Sequence, residues 1–252
     1  MSVQHQRPKL VGPNEPTEPR PIPGHRCEQV APAKLILIPG LGANRRLYEP
    51  QLDIEPTLAV PTFIPERPRE TLDAYCARFA DHIRKTLDLD DDFCIGGISF
   101  GGMCALEMAA TLRPRAVVLV GACTTPRQIS LQFRTIARLV SITPTPIATL
   151  VLNSPVVRWS ARWQGIDGEN VDRLAAIARE TDVPFTRWAA RACVNWAGAT
   201  EPFTPVRRVH GRTDHVIPPT DDIERLIDGR HLINLSHSAD VNAFLAEVLA
   251  DV

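Results

Sequence analysis

The sequence has little lysine, three residues against 25 arginines in a chain of 252, and no excess of either charge. Lys and Arg together number 28 and Asp and Glu 29, a net charge of −1. That balance excludes the basic footprint of a nucleic-acid binder. No stretch reaches 18 uninterrupted apolar residues, which excludes a helical membrane span. The N-terminus is polar and has no apolar core of a signal peptide, so no secretory signal is expected. None of the six cysteines forms a C-x-x-C pair, and most sit in apolar runs, the pattern of buried reduced thiols in a cytoplasmic protein. Neither a Gly-rich dinucleotide fingerprint nor a metal-ligand cluster is present, so no cofactor and no metal are expected. The length suits one α/β domain with an insertion, or at most two small domains, and is ample for a full core.

What is present centres on residues 94–103, C-I-G-G-I-S-F-G-G-M. Gly97-Ile98-Ser99-Phe100-Gly101 matches G-x-S-x-G. An apolar run of strand length precedes Ser99, and small residues and helix formers follow it. Strand, tight turn and helix are the context that a nucleophile elbow requires. A serine on such a turn points its hydroxyl outward from strained backbone, and the flanking glycines remove side chains that would clash across the turn. The Phe100 amide then lies at a helix N-terminus, where it can face a developing oxyanion.

Around this elbow the chain alternates strands and helices. Residues 1–33 hold seven prolines and no periodicity, which predicts a disordered or surface-lying tail. Residues 34–38, K-L-I-L-I, form a buried strand running into Pro39-Gly40-Leu41-Gly42, whose Leu41 amide is a candidate second oxyanion donor. A helix is expected near residues 45–52 and a strand over 57–64. Apolar positions Leu72, Tyr75, Cys76, Phe79 and Ile83 recur at helical spacing behind Thr71, while His82 falls off that stripe as a solvated surface residue. The acidic run 88–92 reads as a polar loop, and 115–120 as the next strand. This alternation implies a parallel sheet with helices on both faces.

Residues 124–203 break the rhythm, because no clear strand appears over a length far beyond one crossover helix. Four helical pieces are visible, at 128–140, 144–152, 170–180 and 184–196. All four tryptophans fall within this insertion. It is expected to act as a helical cap, with Trp188 and Trp196 the candidate lining of an apolar substrate pocket or else packing for the insertion on the core. The two flanking segments, 34–123 and 204–252, form the core.

After a strand at 205–210 comes Gly211-Arg212-Thr213-Asp214. Asp214 follows a strand end, where a buried carboxylate can orient a histidine, although Asp also serves turns. The base has two candidates. If 223–227 is the last strand, the loop after it presents His231. If 221–229 is a helix, 231–235 is the strand and His237 is the base. Residues 238–250 form an amphipathic helix capped by Ser238.

The elbow, the Pro39-Gly40-Leu41-Gly42 turn, the G-R-T-D turn and a late histidine, in the order Ser, Asp, His, resemble the α/β-hydrolase family over 34–123 and 204–252. The resemblance favours His231 over His237, because Gly229-Arg230-His231 followed by Asp240-Val241-Asn242 keeps the register of that family's last turn and helix. His210 and His215 are then structural. The sequence departs from the family at Pro39-Gly40, where His-Gly is common, and in its short interval from Asp214 to His231, which implies a trimmed helix before the last strand. The resemblance implies a mostly parallel α/β fold with a helical lid and a triad of Ser99, Asp214 and His231, with Leu41 and Phe100 amides as oxyanion hole. It implies acyl-enzyme hydrolysis of a small, apolar carboxylic ester, with thioesters, lactones and C–C bonds as further substrates of the same chemistry. The partner is a small-molecule substrate. The alternative is a hydrolase-fold binding protein with little or no turnover.

Overall fold

The computed structural model describes residues 31–55, 57–199 and 204–251. Residues 1–30 of the proline-rich tail, Cys27 among them, therefore lie outside the described residues, and its last residue, Ala33, belongs to the first strand. Six strands form one sheet: β1 (Ala33–Ile38), β2 (Leu58–Ala59), β3 (Leu89–Ile98), β4 (Ala116–Val120), β5 (Val206–Gly211) and β6 (Arg225–Ile227). Their order is β2-β1-β3-β4-β5-β6 and every pairing is parallel. The order reverses between β1 and β3, a topological switch point, and the crevice at the carboxyl ends of such strands is where open α/β sheets bind ligands.

The strands bury both faces, as continuous apolar runs in parallel sheets do. In β4, Val117 and Leu119 join the core cluster under helices α1 (Leu72–Thr86) and α2 (Phe100–Leu112). Ala116, Val118 and Val120 point to the other side, with Val241, Phe244, Leu245 and Val248 of the C-terminal helix. In α1 the residues Leu72, Tyr75, Cys76, Phe79, Ala80 and Ile83 are buried, and His82 is exposed. α2 ends at Arg113, which takes a left-handed conformation (φ 53°) ahead of Pro114.

Among the described residues, five α-helices follow a single 3-10 turn (Pro126–Gln128) in the interval between β4 and β5: α3 (Leu131–Ile142), α4 (Thr145–Leu152), α5 (Val156–Trp163), α6 (Gly168–Glu180) and α7 (Val183–Asn195). Four match the periodic stretches in the sequence. The fifth, α5, is only eight residues long and lies between Pro155 and Gly165, so it offers little more than two turns of pattern. After β6 come the short α8 (Ile233–Ser236) and then α9 (Ser238–Ala250).

Four further local expectations are corrected. The strand expected over 57–64 shrinks to Leu58–Ala59, since Pro61 and Pro65 withhold ladder donors. The acidic run is not a loop. β3 begins at Leu89, pairs with Ala33, and then shifts register so that Cys94 faces Leu35, with the exposed Asp91 and Asp92 in the offset. The helix expected near 45–52 is a 3-10 helix over Arg45–Gln51, started by Asn44, whose side chain accepts a hydrogen bond from the Arg46 amide. The cap position of α9 is His237 and not Ser238, and no side chain caps that end.

Candidate active site

β3 leads into the elbow. Ser99 has φ 52° and ψ −118°, a left-handed backbone that a residue with a Cβ rarely adopts. Its backbone is held on both sides: the amide donates to Val120 O (3.2 Å), and the carbonyl accepts from Gly102 N (3.0 Å) and Met103 N (3.2 Å). The close approach around the turn requires glycine. A Cβ at Gly101 would sit 2.0 Å from Ile38 O, and one at Gly97 would sit 2.5 Å from the Gly101 carbonyl carbon. α2 therefore starts against the end of β1, which brings the elbow beside the Pro39–Gly42 turn.

Tyr48 ties the two strand ends together. Its buried hydroxyl donates to Ile38 O (2.9 Å) and accepts from the Ile98 amide (2.8 Å), and burial pushes its phenol far above the usual range. The sequence offered no sign of this role, because Tyr48 reaches strands that only the sheet order makes adjacent. Among the described residues, the amides of Leu41 and Phe100 donate to no backbone carbonyl. Leu41 lines the cavity beside Ser99.

Asp214 lies in the turn after β5. Its Oδ1 accepts from the amides of Val216 (2.8 Å) and Ile217 (3.0 Å). Its Oδ2 accepts from His231 Nδ1 at 2.7 Å and lies 3.2 Å from His210 Nε2. Burial alone would raise this carboxyl. The hydrogen bonds from His210 and His231, the proximity of the His231 ring and the backbone amides outweigh burial and hold it well below the usual carboxylate range. His210 Nε2 also lies 2.7 Å from Ile217 O; both neighbours are acceptors, so this nitrogen carries the proton. His210, expected to be only structural, thus contacts the acid itself. Its place four residues before Asp214 gave no signal of that.

His231 follows β6, so 223–229 resolves into a short strand and a turn, with no helix between β5 and β6. Gly211 permits this turn, since a Cβ there would meet Arg230 O at 2.1 Å. Gly121, at the end of β4 with φ 52°, faces the same pair: a Cβ would meet His231 O at 3.0 Å. His237 lies elsewhere, with Nδ1 2.8 Å from Ser236 Oγ and its ring against Gly229.

Ser99 and His231 line one cavity of about 630 Å³. Its walls are mostly apolar: Leu41, Ala43 and Ile98 from the core, and Val140, Leu152 and Val157 among others from α3 to α5. Two polar side chains of α7 also face it. Among the described residues, Thr186 Oγ1 is buried without a hydrogen-bond partner, and Arg187 bonds only Ser141 O (3.4 Å). The Ser99 hydroxyl makes no hydrogen bond among the described residues, and the serine itself is buried at the cavity floor. No three His, Cys, Asp or Glu side chains of the described residues cluster to hold a metal ion.

Of the two readings for Trp188 and Trp196, the structure agrees with packing of the insertion on the core and not with the pocket lining, since neither borders the cavity. Trp188 stacks among Tyr75 and Phe185 and donates Nε1–H to Glu70 O (3.0 Å). Trp196 donates to Glu107 Oε1 (2.5 Å) on α2. Both fasten α7 to α1 and α2. The tryptophan that lines the cavity is Trp163 of α5.

The model of a family described as "Alpha/beta hydrolase family" matches residues 35–244, most of the chain. The chain belongs to the alpha/beta hydrolase family. Solved structures agree on the fold of this hydrolase. A thermophilic esterase from Thermogutta terrifontis is 17% identical, with a TM-score of 0.63 over 87% of this chain and 90% of that one. A thioesterase from the prodiginine biosynthetic pathway of Streptomyces coelicolor is 20% identical, with a TM-score of 0.59 over 86% and 91%. An N-acyl homoserine lactonase, in complex with N-hexanoyl homoserine lactone, is 17% identical, with a TM-score of 0.64 over 87% and 90%. A search of curated protein sequences finds no match. At these identities the likeness extends to the fold of the hydrolase, and its chemistry has to be argued from its own residues.

Proposed function

We propose that the protein is a serine hydrolase that cleaves a small carboxylic ester with an apolar acyl group through an acyl-enzyme. The observation that carries this reading is the 2.7 Å hydrogen bond from His231 Nδ1 to the buried Asp214 carboxylate, with His231 and Ser99 on the wall of one apolar cavity. A carboxylate accepts only, so Nδ1 carries the proton and Nε2 is left as the base. Ser99 Oγ attacks the ester carbonyl carbon while His231 Nε2 takes its proton. The carbonyl oxygen becomes an oxyanion, which the amides of Phe100 and Leu41 bind; each such donor is worth roughly 3 kcal/mol of transition-state stabilisation. The C–O bond then breaks, and His231 returns its proton to the departing alcohol. Water, deprotonated by the same nitrogen, releases the acid. Asp214 stays ionised throughout and stabilises the imidazolium. His210 and Tyr48 act as positioning residues, one on the acid and the other on the two strand ends that carry Leu41 and Ser99.

The segment 124–203 acts in this reading as the cap that shapes the acyl site. Its aliphatic lining supports an aliphatic acyl group, and thioesters and lactones of the same acyl class are compatible with the chemistry. The five buried free cysteines among the described residues fit a reducing, cytoplasmic setting. A second reading, a hydrolase-fold binding protein, is favoured by one observation: Ser99 and His231 share no hydrogen bond here. Such bonds are often long before substrate binds.

A fluorophosphonate probe with intact-mass readout separates the two. Wild type and His237→Ala should label rapidly, and Ser99→Ala and His231→Ala should not. A folded wild-type protein that fails to label rules out the activated serine. Labelling lost in His237→Ala and kept in His231→Ala reassigns the base.

A further inference from the structure

Ten of the eleven large apolar side chains that lie exposed among the described residues fall between Leu131 and Trp163. They come from all three helices of that stretch: Leu131, Leu139 and Ile142 of α3, Ile147 and Leu150 of α4, Val156 and Trp159 of α5 among them. Leu131 is 76% exposed, Leu150 71% and Trp159 67%. Apolar side chains scattered singly over a surface need no explanation, but this concentration does. The charge of the same stretch is one-sided. From residue 121 to 166 there are five arginines (127, 134, 138, 158 and 162) and no Lys, Asp or Glu. The first carboxylates, Asp167, Glu169 and Asp172, come only at the start of α6, and Asp172 pairs with Arg158. Arg127, Arg138 and Arg162 are exposed, and Arg230 lies over the Trp163 ring at 4.8 Å.

We propose that the outer face of α3, α4 and α5 docks on an anionic lipid bilayer and opens the cavity toward it. This goes beyond the hydrolase reading and holds whether or not Ser99 turns over substrate. Aliphatic and tryptophan side chains beside arginines are the composition of helices that lie in the membrane interface, with apolar groups at the acyl boundary and guanidinium groups at the headgroups. No helix of the described residues is long and apolar enough to cross a membrane, so the contact is with one leaflet. Continuity with the cavity favours lipid over other occupants. Val151 and Trp163 are half-exposed in the patch and also line the cavity that ends at Ser99. An apolar molecule dissolved in the leaflet therefore reaches the site along apolar surface. A second copy of the chain is disfavoured, because a two-fold contact would set the same arginine-only stretch against itself.

The test is flotation of the full-length protein with vesicles of phosphatidylcholine containing about 30% phosphatidylglycerol, against phosphatidylcholine alone. The wild type should float with the anionic vesicles and detach as salt is raised. Leu150→Ser combined with Trp159→Ser touches neither the cavity lining nor the triad. It should lower the partition coefficient at least about tenfold, with an unchanged melting temperature. Arg138→Gln combined with Arg162→Gln should remove the preference for anionic lipid. Absence of flotation overturns the proposal, and so does a double serine variant that floats like the wild type. A concentration-dependent dimer in sedimentation velocity that the serine substitutions dissolve also overturns it, and assigns the patch to self-association.

Discussion

Replacing Ser99 by glycine should make the protein more stable, and replacing it by alanine should not. The backbone at φ 52° and ψ −118° is disfavoured by the presence of a Cβ, which alanine keeps and glycine lacks. Strain of this kind amounts to roughly 1–3 kcal/mol. Glycine gives back about 0.5–1 kcal/mol through the greater freedom of its unfolded chain. The expected net gain for Ser99→Gly is therefore about 0–2.5 kcal/mol, centred near 1 kcal/mol. In a chain of this size the central value is roughly 2–4 °C in melting temperature. The hydroxyl adds little to the comparison, since it makes no hydrogen bond among the described residues. Ser99→Ala should accordingly stay within about 0.5 kcal/mol of wild type. Calorimetry of all three proteins, side by side at one pH, reads the difference. Both variants should fail to react with a fluorophosphonate. A Ser99→Gly protein that melts at or below Ser99→Ala refutes the argument, because it would mean that the bonds to Val120, Gly102 and Met103 hold the elbow without strain.

Two further outcomes follow from the buried acids. The Asp214 carboxyl is held below its usual range in the folded state, so its contribution to stability is full above the unfolded value near 3.9 and is lost as pH falls through the folded value. The melting-temperature gap between wild type and Asp214→Asn should be widest above about pH 5 and close toward about pH 2; a gap that is flat with pH contradicts it. Burial raises the Glu107 carboxyl, and the Trp196 indole N–H partly offsets this. Trp196→Phe should therefore destabilise by about 1–3 kcal/mol in denaturant titration while leaving kcat/KM unchanged, and a changed KM would return Trp196 to the pocket.

The parts legible in the sequence are those whose determinants are local. The apolar runs of β1 and β4 and the stripe on α1 each read correctly, because burial on both faces or along one stripe writes itself into consecutive residues. The elbow was legible for the same reason: a strained serine and two close approaches confine three positions within five residues. Periodicity did not choose between His231 and His237, since a three-residue strand carries no decisive period, and the preference for His231 rested on the family resemblance alone. The sequence left the tryptophans between lining and packing because periodicity tells which side of its own helix a residue occupies, not what covers that side. Trp188 and Trp196 face α1 and α2, while Trp163 sits on α5, where two arginines and a serine interrupt the apolar run that marks α4 of the same length. Tyr48 and Gly121 escaped because their partners are brought close only by the sheet order, and His210 because a spacing of four residues across a strand end and a turn does not show that its ring folds back on Asp214.

The same distinction bears on α4. Its sequence, T-P-I-A-T-L-V-L, is apolar on nearly every side, which ordinarily marks a helix enclosed by a core. Yet none of its residues is buried. Ala148, Val151 and Leu152 face the cavity, and Ile147 and Leu150 face outward. α4 is thus a wall one helix thick between the space above Ser99 and the exterior. In the proposed ester hydrolysis an interior apolar face is explained by an acyl group in the cavity, but nothing in that chemistry calls for the outer one. A helix that served only to roof the cavity would hold equally well in water with Ile147 and Leu150 replaced by polar residues, since neither packs in the core. The outer face therefore points to a surrounding less polar than water, and the arginines of α3 and α5 indicate the sign of its charge.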